Sequence, residues 1–206
     1  MVEKNGCAVI LAAGTSSRMG EAKQLLQIGE RPLLQHVIDN VSHHPFQSIL
    51  VVLGHEAHAI EKELHYDSDR VTILYNSNYQ EGQSTSFLTA VHSISSKVKH
   101  AVFFLGDQPF ICAETVNAMI DLGYRKAGES ADPFVIRPMF DQKPGHPVFW
   151  GNVKEMDFSS LTGDSGGKNI MESVRREFVH VNDENILFDI DTREDYERAL
   201  EKVVET

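Results

Sequence analysis

The chain has 206 residues, 41% of them hydrophobic and 24% charged, with a formal charge of −11. So acidic a protein lacks the phosphate-neutralising surface of a general nucleic-acid binder. No apolar run approaches the ~20 residues of a membrane span, and residues 1–6 carry no cationic stretch leading into an apolar one; one cytoplasmic domain over residues 1–206, with neither nucleic acid nor membrane as partner, is expected.

Residues 7–13, CAVILAA, read as a strand buried on both faces. Gly14 follows, where the backbone can turn sharply and aim successive N–H groups at one point, an arrangement that binds anions. Arg18 adds a planar fork for phosphate oxygens, and Lys23 a compact charge on a flexible stem. The segment is not a P-loop, because Gly20 is followed by Glu21 and Ala22, and it has no G-x-G-x-x-G dinucleotide fingerprint. It reads as a polyanion-binding loop delivered by a strand.

Pro32 suits the first turn of a helix that aligns Leu34, Val37, Ile38 and Val41. Strands are expected at residues 48–53, 71–75 and 101–105. Helices are expected over about 55–64, from about Ser84 with Phe87, Leu88, Val91 and Ile94 inward, and around Val116, Met119 and Ile120. Strands alternating with helices imply parallel crossovers, hence a three-layer α/β/α, Rossmann-like fold. The second half is less regular. Residues 133–137, 147–150 and 178–181 read as strands of a mixed extension, and residues 192–203 as a closing helix whose Thr192 and Asp195 form a capping box with Asp in place of Glu. Cys7 and Cys112 have no CxxC spacing and read as packing residues, while the ten histidines match no zinc spacing and read as surface residues.

Ligands of open parallel sheets gather at the carboxyl ends of the strands, where Gly14 and Asp107 would both lie. Asp107 opposite a phosphate-binding loop suits Mg²⁺, which takes one or two carboxylates together with phosphate oxygens; the competing role is to cap the next helix. Asp189 and Asp191 point to one side of an extended segment, and either could complete such a site, although Asp191 could also precede the last helix as a cap. Residues 78–86 lead into a helix, so their N–H groups and hydroxyls can meet an anion or a base edge, or Ser84 can simply cap.

Leu11, Ala12, Ala13, Gly14, Ser16, Arg18, Met19, Gly20 and Lys23 match L-A-[AG]-G-x-S-x-R-M-G-x-x-K, the signature of molybdopterin-type nucleotidyltransferases. The chain resembles the molybdenum cofactor cytidylyltransferase family and its purine-catabolism relatives, which mature xanthine dehydrogenase. That resemblance implies a Mg²⁺-dependent transfer of CMP from CTP to the terminal phosphate of molybdopterin, with a xanthine dehydrogenase-type apoenzyme as partner. It implies nucleotide contacts from Leu11, Ala12, Ala13, Gly14, Arg18 and Lys23, and from Gly82 and Ser86, which sit in a similar N-x-x-x-x-G-x-x-x-S segment. It names Arg18, Lys23 and Asp107 as catalytic, and selects Asp191, just before Thr192, as second metal ligand with Asp189 in support.

Gly145 and His146 resemble the family's G-H-P motif on the acceptor side, with the histidine as a fixed donor. Asp164 and Lys168 resemble G-D-x-G-[AG]-R, Lys168 standing where Arg is usual. Ala13 favours cytidine, because guanylyl members tend to carry Gly there. The alternatives are a guanylyl or sugar-phosphate nucleotidyltransferase on the same fold, or a non-catalytic carrier of the cofactor.

Overall fold

The computed structural model describes residues 6–16 and 19–204. Strand β1 (Gly6–Ala12) is followed by a short antiparallel ribbon of β2 (Gln27–Ile28) and β3 (Arg31–Pro32), then by α1 (Leu33–Ser42), β4 (Ser48–Leu53), α2 (Ala57–Lys62) and β5 (Val71–Tyr75). The chain continues through α3 (Gln83–Ser93), β6 (His100–Leu105), α4 (Ala113–Glu129), β7 (Phe134–Phe140), β8 (Lys143–Pro144) and β9 (Val148–Gly151). It ends with α5 (Lys168–Ser173), β10 (Arg175–His180) and α6 (Arg193–Val204).

Among the described residues, the main sheet has the order β10-β7-β9-β6-β1-β4-β5, with β8 paired to β7. β1, β4, β5 and β6 pair in parallel, as do β7 and β10, whereas β9 runs antiparallel to both β6 and β7. The sheet is mixed and mostly parallel, and side-chain alternation along β1 divides the core into layers. Ala8, Ile10 and Ala12 pack with α1, α2 and α4 on one face; Cys7 and Val9 pack with α3 and α5 on the other. A third cluster joins Ile28, Leu33, Phe188 and Ile190 to Ala199 of α6. The α/β/α architecture expected from the alternation is present.

The six-residue helices α2 and α5 are too short to persist alone. Each is tied down by a buried isoleucine, Ile60 or Ile170, whose burial is worth about 1.5–3 kcal/mol. The helix expected over residues 55–64 is trimmed because Glu56 takes a left-handed backbone, φ 52°, just before α2. β10 starts three residues earlier than its apolar pattern indicates: Arg175, Arg176 and Glu177 pair with β7 at the sheet edge, where water can solvate their charges. Cys7 is buried and Cys112 half-buried, and both are free thiols.

Two of the ten histidines depart from their expected surface placement. His44 and His100 are buried, His44 bonded through Nδ1 to Asn117 and His100 accepting the Asn152 N–H, so both serve packing. Among the described residues no helix is long and apolar enough to cross a membrane.

Candidate active site

Two strand ends create the site. β1 and β6 run in register to Leu11 and Leu105, and the Gly106 N–H donates to the Leu11 carbonyl at 2.8 Å. A Cβ at Gly106 would lie 2.6 Å from that of Ala12, so the turn carrying Asp107 closes onto the first loop only with glycine there. The loop is pinned from beneath by Gln24, a buried residue that sequence reading passed over. Its Nε2 donates to the carbonyls of Ala12 (2.8 Å) and Gly14 (3.2 Å), and its Oε1 accepts from Ser16 Oγ at 3.3 Å. A lone amide between Lys23 and Leu25 was the available signal. The left-handed residue of the turn is Ser16, φ 54°, and not Gly14, whose absent side chain instead leaves open space at the mouth of the cleft. Arg18 lies outside the described residues.

Lys23 stands between two carboxylates. Its Nζ donates to Asp107 Oδ2 at 2.6 Å and to Asp191 Oδ1 at 2.7 Å, rather than pointing freely into the cleft. Burial by itself would lower the pKa of Lys23, but Asp107 and Asp191 override it and hold the ammonium above its ordinary value. Asp189 is pushed up to about 6, by burial first and then by the charge of Asp107. Gln108 holds Asp189, donating to its Oδ1 at 2.6 Å. Neither proposed metal ligand is consumed as a helix cap. Asp183 braces the residue before α4 and its first turn, accepting from Cys112 N–H and Thr115 Oγ1, and Asp195 accepts the N–H groups of Asp191 and Thr192.

Asp107 Oδ1 is buried without a partner among the described residues. Two carboxylates from separate loops already converge on one cation, and no cluster of three or more His, Cys, Asp or Glu is arranged for a metal among the described residues. That donor set fits a divalent cation that completes its shell with phosphate oxygens and water.

The remaining candidates surround the same space. A cleft of about 760 Å³ is lined by Leu11, Ala12, Ala13, Gly14, Lys23, Asp107 and Asp191, and across from them by Gly82, Ser86, His146, Asp164 and Lys168. Gly82 has φ 111°, and a Cβ on it would lie 2.4 Å from the Gly163 carbonyl group. The two loops are therefore in backbone contact. Asp164 Oδ1 accepts the Gln83 N–H at 3.3 Å, so it supports the start of α3, which Ser84 does not cap. Ser86 Oγ accepts from Asn76 Nδ2 at 2.9 Å, while Lys168 is exposed on the rim.

Gly145 is not on the cleft. A Cβ there would lie 2.2 Å from the Ile186 carbonyl oxygen, so this glycine allows close packing. His146 is also altered. Burial, and then the charge of Arg137, push the pKa of its ring down to about 4, and its Nδ1 is buried without a partner among the described residues. Arg137 and Trp150, unmarked in the sequence reading, also line this wall.

The MobA-like NTP transferase domain family matches residues 8–180. The chain is 29% identical to the molybdenum cofactor cytidylyltransferase of Escherichia coli strain K12, over 96% of each protein. Among solved structures, a homologue of Mycobacterium tuberculosis Rv0371c from Mycobacterium sp. strain JC1 is 29% identical and superposes with a TM-score of 0.82 over 99% of both chains. Rv0371c from M. tuberculosis H37Rv in complex with manganese is 25% identical, with a TM-score of 0.72 over 96% of this chain and 98% of that one.

Proposed function

Because the chain belongs to the MobA-like NTP transferase family and is a nucleotidyltransferase, we propose that it transfers CMP from CTP to the terminal phosphate of molybdopterin or its metal-loaded form. An oxygen of that phosphate attacks the α-phosphorus of CTP. The bond from the α-phosphorus to the oxygen bridging to the β-phosphate breaks, and pyrophosphate leaves. The observation that carries the reading is the Lys23 ammonium held between Asp107 and Asp191 beside the first loop, a mixed-charge seat suited to a triphosphate and its cation.

In such a transfer the protein supplies alignment and charge stabilisation. Gly14 and the amides beside it hold phosphate oxygens where no side chain intrudes. Lys23 turns to the α-phosphate as charge grows there, and Arg18 takes the leaving phosphates. Asp107 and Asp191 hold a divalent cation, Mg²⁺ in this reading, which when bound neutralises triphosphate charge; the manganese-bound relative supports a divalent ion. Gly82 and Ser86 border the nucleotide, and His146, Asp164 and Lys168 the acceptor. Ala13, where guanylyl relatives tend to have Gly, supports cytidine. The cytidylylated cofactor would mature a molybdenum hydroxylase such as xanthine dehydrogenase.

The test is Mg²⁺-dependent pyrophosphate release from CTP, GTP, ATP and UTP, with and without molybdopterin. Release from CTP only when molybdopterin is present is the expected result. Turnover of a sugar phosphate without response to molybdopterin, or binding of the cofactor without pyrophosphate release, overturns it.

A further inference from the structure

The carboxylates that flank Lys23 stand on two loops, and neither lies in a helix or strand. Asp107 follows β6 in the turn after Gly106, and Asp191 stands between a short 3-10 turn, Glu184–Leu187, and α6. Irregular backbone takes its position from the bonds that tie it down. Two bonds join these loops. The Ile190 N–H donates to the Asp107 carbonyl at 3.1 Å, and Gln108 Nε2 donates to Asp189 Oδ1 at 2.6 Å. Adjacent residues of one loop thus hold adjacent residues of the other. A single bond is a pivot about which a loop can turn, and a second beside it stops the turn.

Gln108 reaches further along the second loop. Its Nε2 also donates to the Ile186 carbonyl at 3.3 Å, so both amide hydrogens are used on that loop. The middle of the segment is anchored by Ile190, fully buried in the cluster of Ile28, Leu33, Phe188 and Ala199. Gln108 itself is 5% exposed, and its Oε1 is buried without a partner among the described residues. An apolar side chain there would avoid that cost. It could not supply the two donor bonds.

We propose that Gln108 is a positioning residue whose amide sets the separation of the Asp107 and Asp191 carboxylates. The inference rests on the reading that these two carboxylates hold a divalent cation. They already converge on one point, since a single Lys23 Nζ meets both, at 2.6 and 2.7 Å. The consequence is selectivity by ion size. Mg²⁺ demands near-ideal octahedral geometry at about 2.0–2.1 Å, whereas Ca²⁺ accepts less regular contacts at about 2.3–2.6 Å. Carboxylates held at one separation favour the smaller ion, and carboxylates free to drift lose that preference.

Electron paramagnetic resonance titration of the nucleotide-free protein with Mn²⁺, followed by displacement with Mg²⁺ and with Ca²⁺, reads both affinity and selectivity. Gln108→Met keeps the length of the side chain and removes the amide. It should weaken Mn²⁺ binding by about 10- to 100-fold, the usual effect of losing a residue that orients a metal ligand, and lower the preference for Mg²⁺ over Ca²⁺ several-fold. Asp189→Asn keeps an oxygen for the Gln108 amide and should retain that preference, whereas Asp189→Ala should lose it. Circular dichroism and melting curves establish that each variant folds; if Gln108→Met does not, the contrast between the two Asp189 variants decides. Unchanged Mn²⁺ affinity in Gln108→Met, weaker affinity with the Mg²⁺ preference intact, or equal preference in the two Asp189 variants overturns the role of Gln108. An unaltered protein that binds no Mn²⁺ overturns the cation reading and this inference with it. The expected pattern in a protein that fails to transfer CMP overturns the transfer alone.

Discussion

The Lys23 ammonium lies 2.6 Å from Asp107 Oδ2, inside the seat that a divalent cation would take. It reaches Asp191 as well, so one side chain pairs with both proposed metal ligands. Lysine and metal would then compete for the same carboxylates, and Lys23 would turn towards phosphate when Asp107 and Asp191 hold a cation. Lys23→Met keeps the stem and removes the charge. Turnover should fall by about 10²- to 10³-fold, whereas Mn²⁺ affinity of the nucleotide-free protein should rise by about tenfold, the equivalent of roughly 1.4 kcal/mol. Electron paramagnetic resonance titration with Mn²⁺ measures the second effect, and an unchanged or weaker affinity would sink the competition.

Gly82 should tolerate no side chain. Its φ of 111° is open chiefly to glycine, and a Cβ would enter the Gly163 carbonyl group. Gly82→Ala should destabilise by about 1–3 kcal/mol through strain and raise KM for CTP, because the start of α3 separates from the Asp164 loop. Gly128→Ala is the control. A Cβ there meets nothing within 4 Å, so the unfolding free energy from urea titration should be equal or higher by up to about 1 kcal/mol. Similar losses in the two variants would contradict the packing.

How far the sequence discloses this site depends on where each residue's partner lies. Lys23 and Asp107 were legible because the first motif and a strand end placed them near one point, whereas Asp191 was chosen over Asp189 only through the resemblance, which selects the residue just before Thr192. Their direct ion pairing was not legible, since it joins residues far apart in the chain. Gln24 acts through backbone carbonyls, which leave no mark in a side-chain pattern. Gly145 and His146 were read from a short motif, which says nothing of the packing of the glycine against Ile186 or of the burial of the histidine, both set by residues distant in the chain. β10 was partly hidden by its charged first half.

Acid should weaken the fold through its buried histidines. His100 packs against Phe149 and Tyr124, and its pKa is lowered to about 4, by burial first and then by Lys99. A histidine neutral in the fold but able to take a proton near 6.5 once unfolded favours the unfolded chain as pH falls. Its contribution is therefore intact above about 6.5 and lost progressively down to about 4. His146 acts over the same range. Urea midpoints at several pH values should fall through this window, and His100→Gln should show a shallower fall. An identical slope in the variant would remove His100 as a cause.

The cap of α6 should be coupled to the metal seat. Thr192 Oγ1 accepts the Asp195 N–H at 3.2 Å, and Asp195 Oδ2 accepts the Thr192 N–H at 2.9 Å, the reciprocal bonds of a capping box. The same oxygen accepts the Asp191 N–H at 3.3 Å, so Asp195 also fixes the backbone of a residue that pairs with Lys23. Thr192→Ala and Asp195→Ala should each cost about 1 kcal/mol in urea unfolding, the usual loss for a helix cap. Only Asp195→Ala also releases Asp191, and it should therefore weaken Mn²⁺ binding in the presence of CTP more than Thr192→Ala does. Equal Mn²⁺ affinities in two variants of equal stability would show that the cap holds the helix alone.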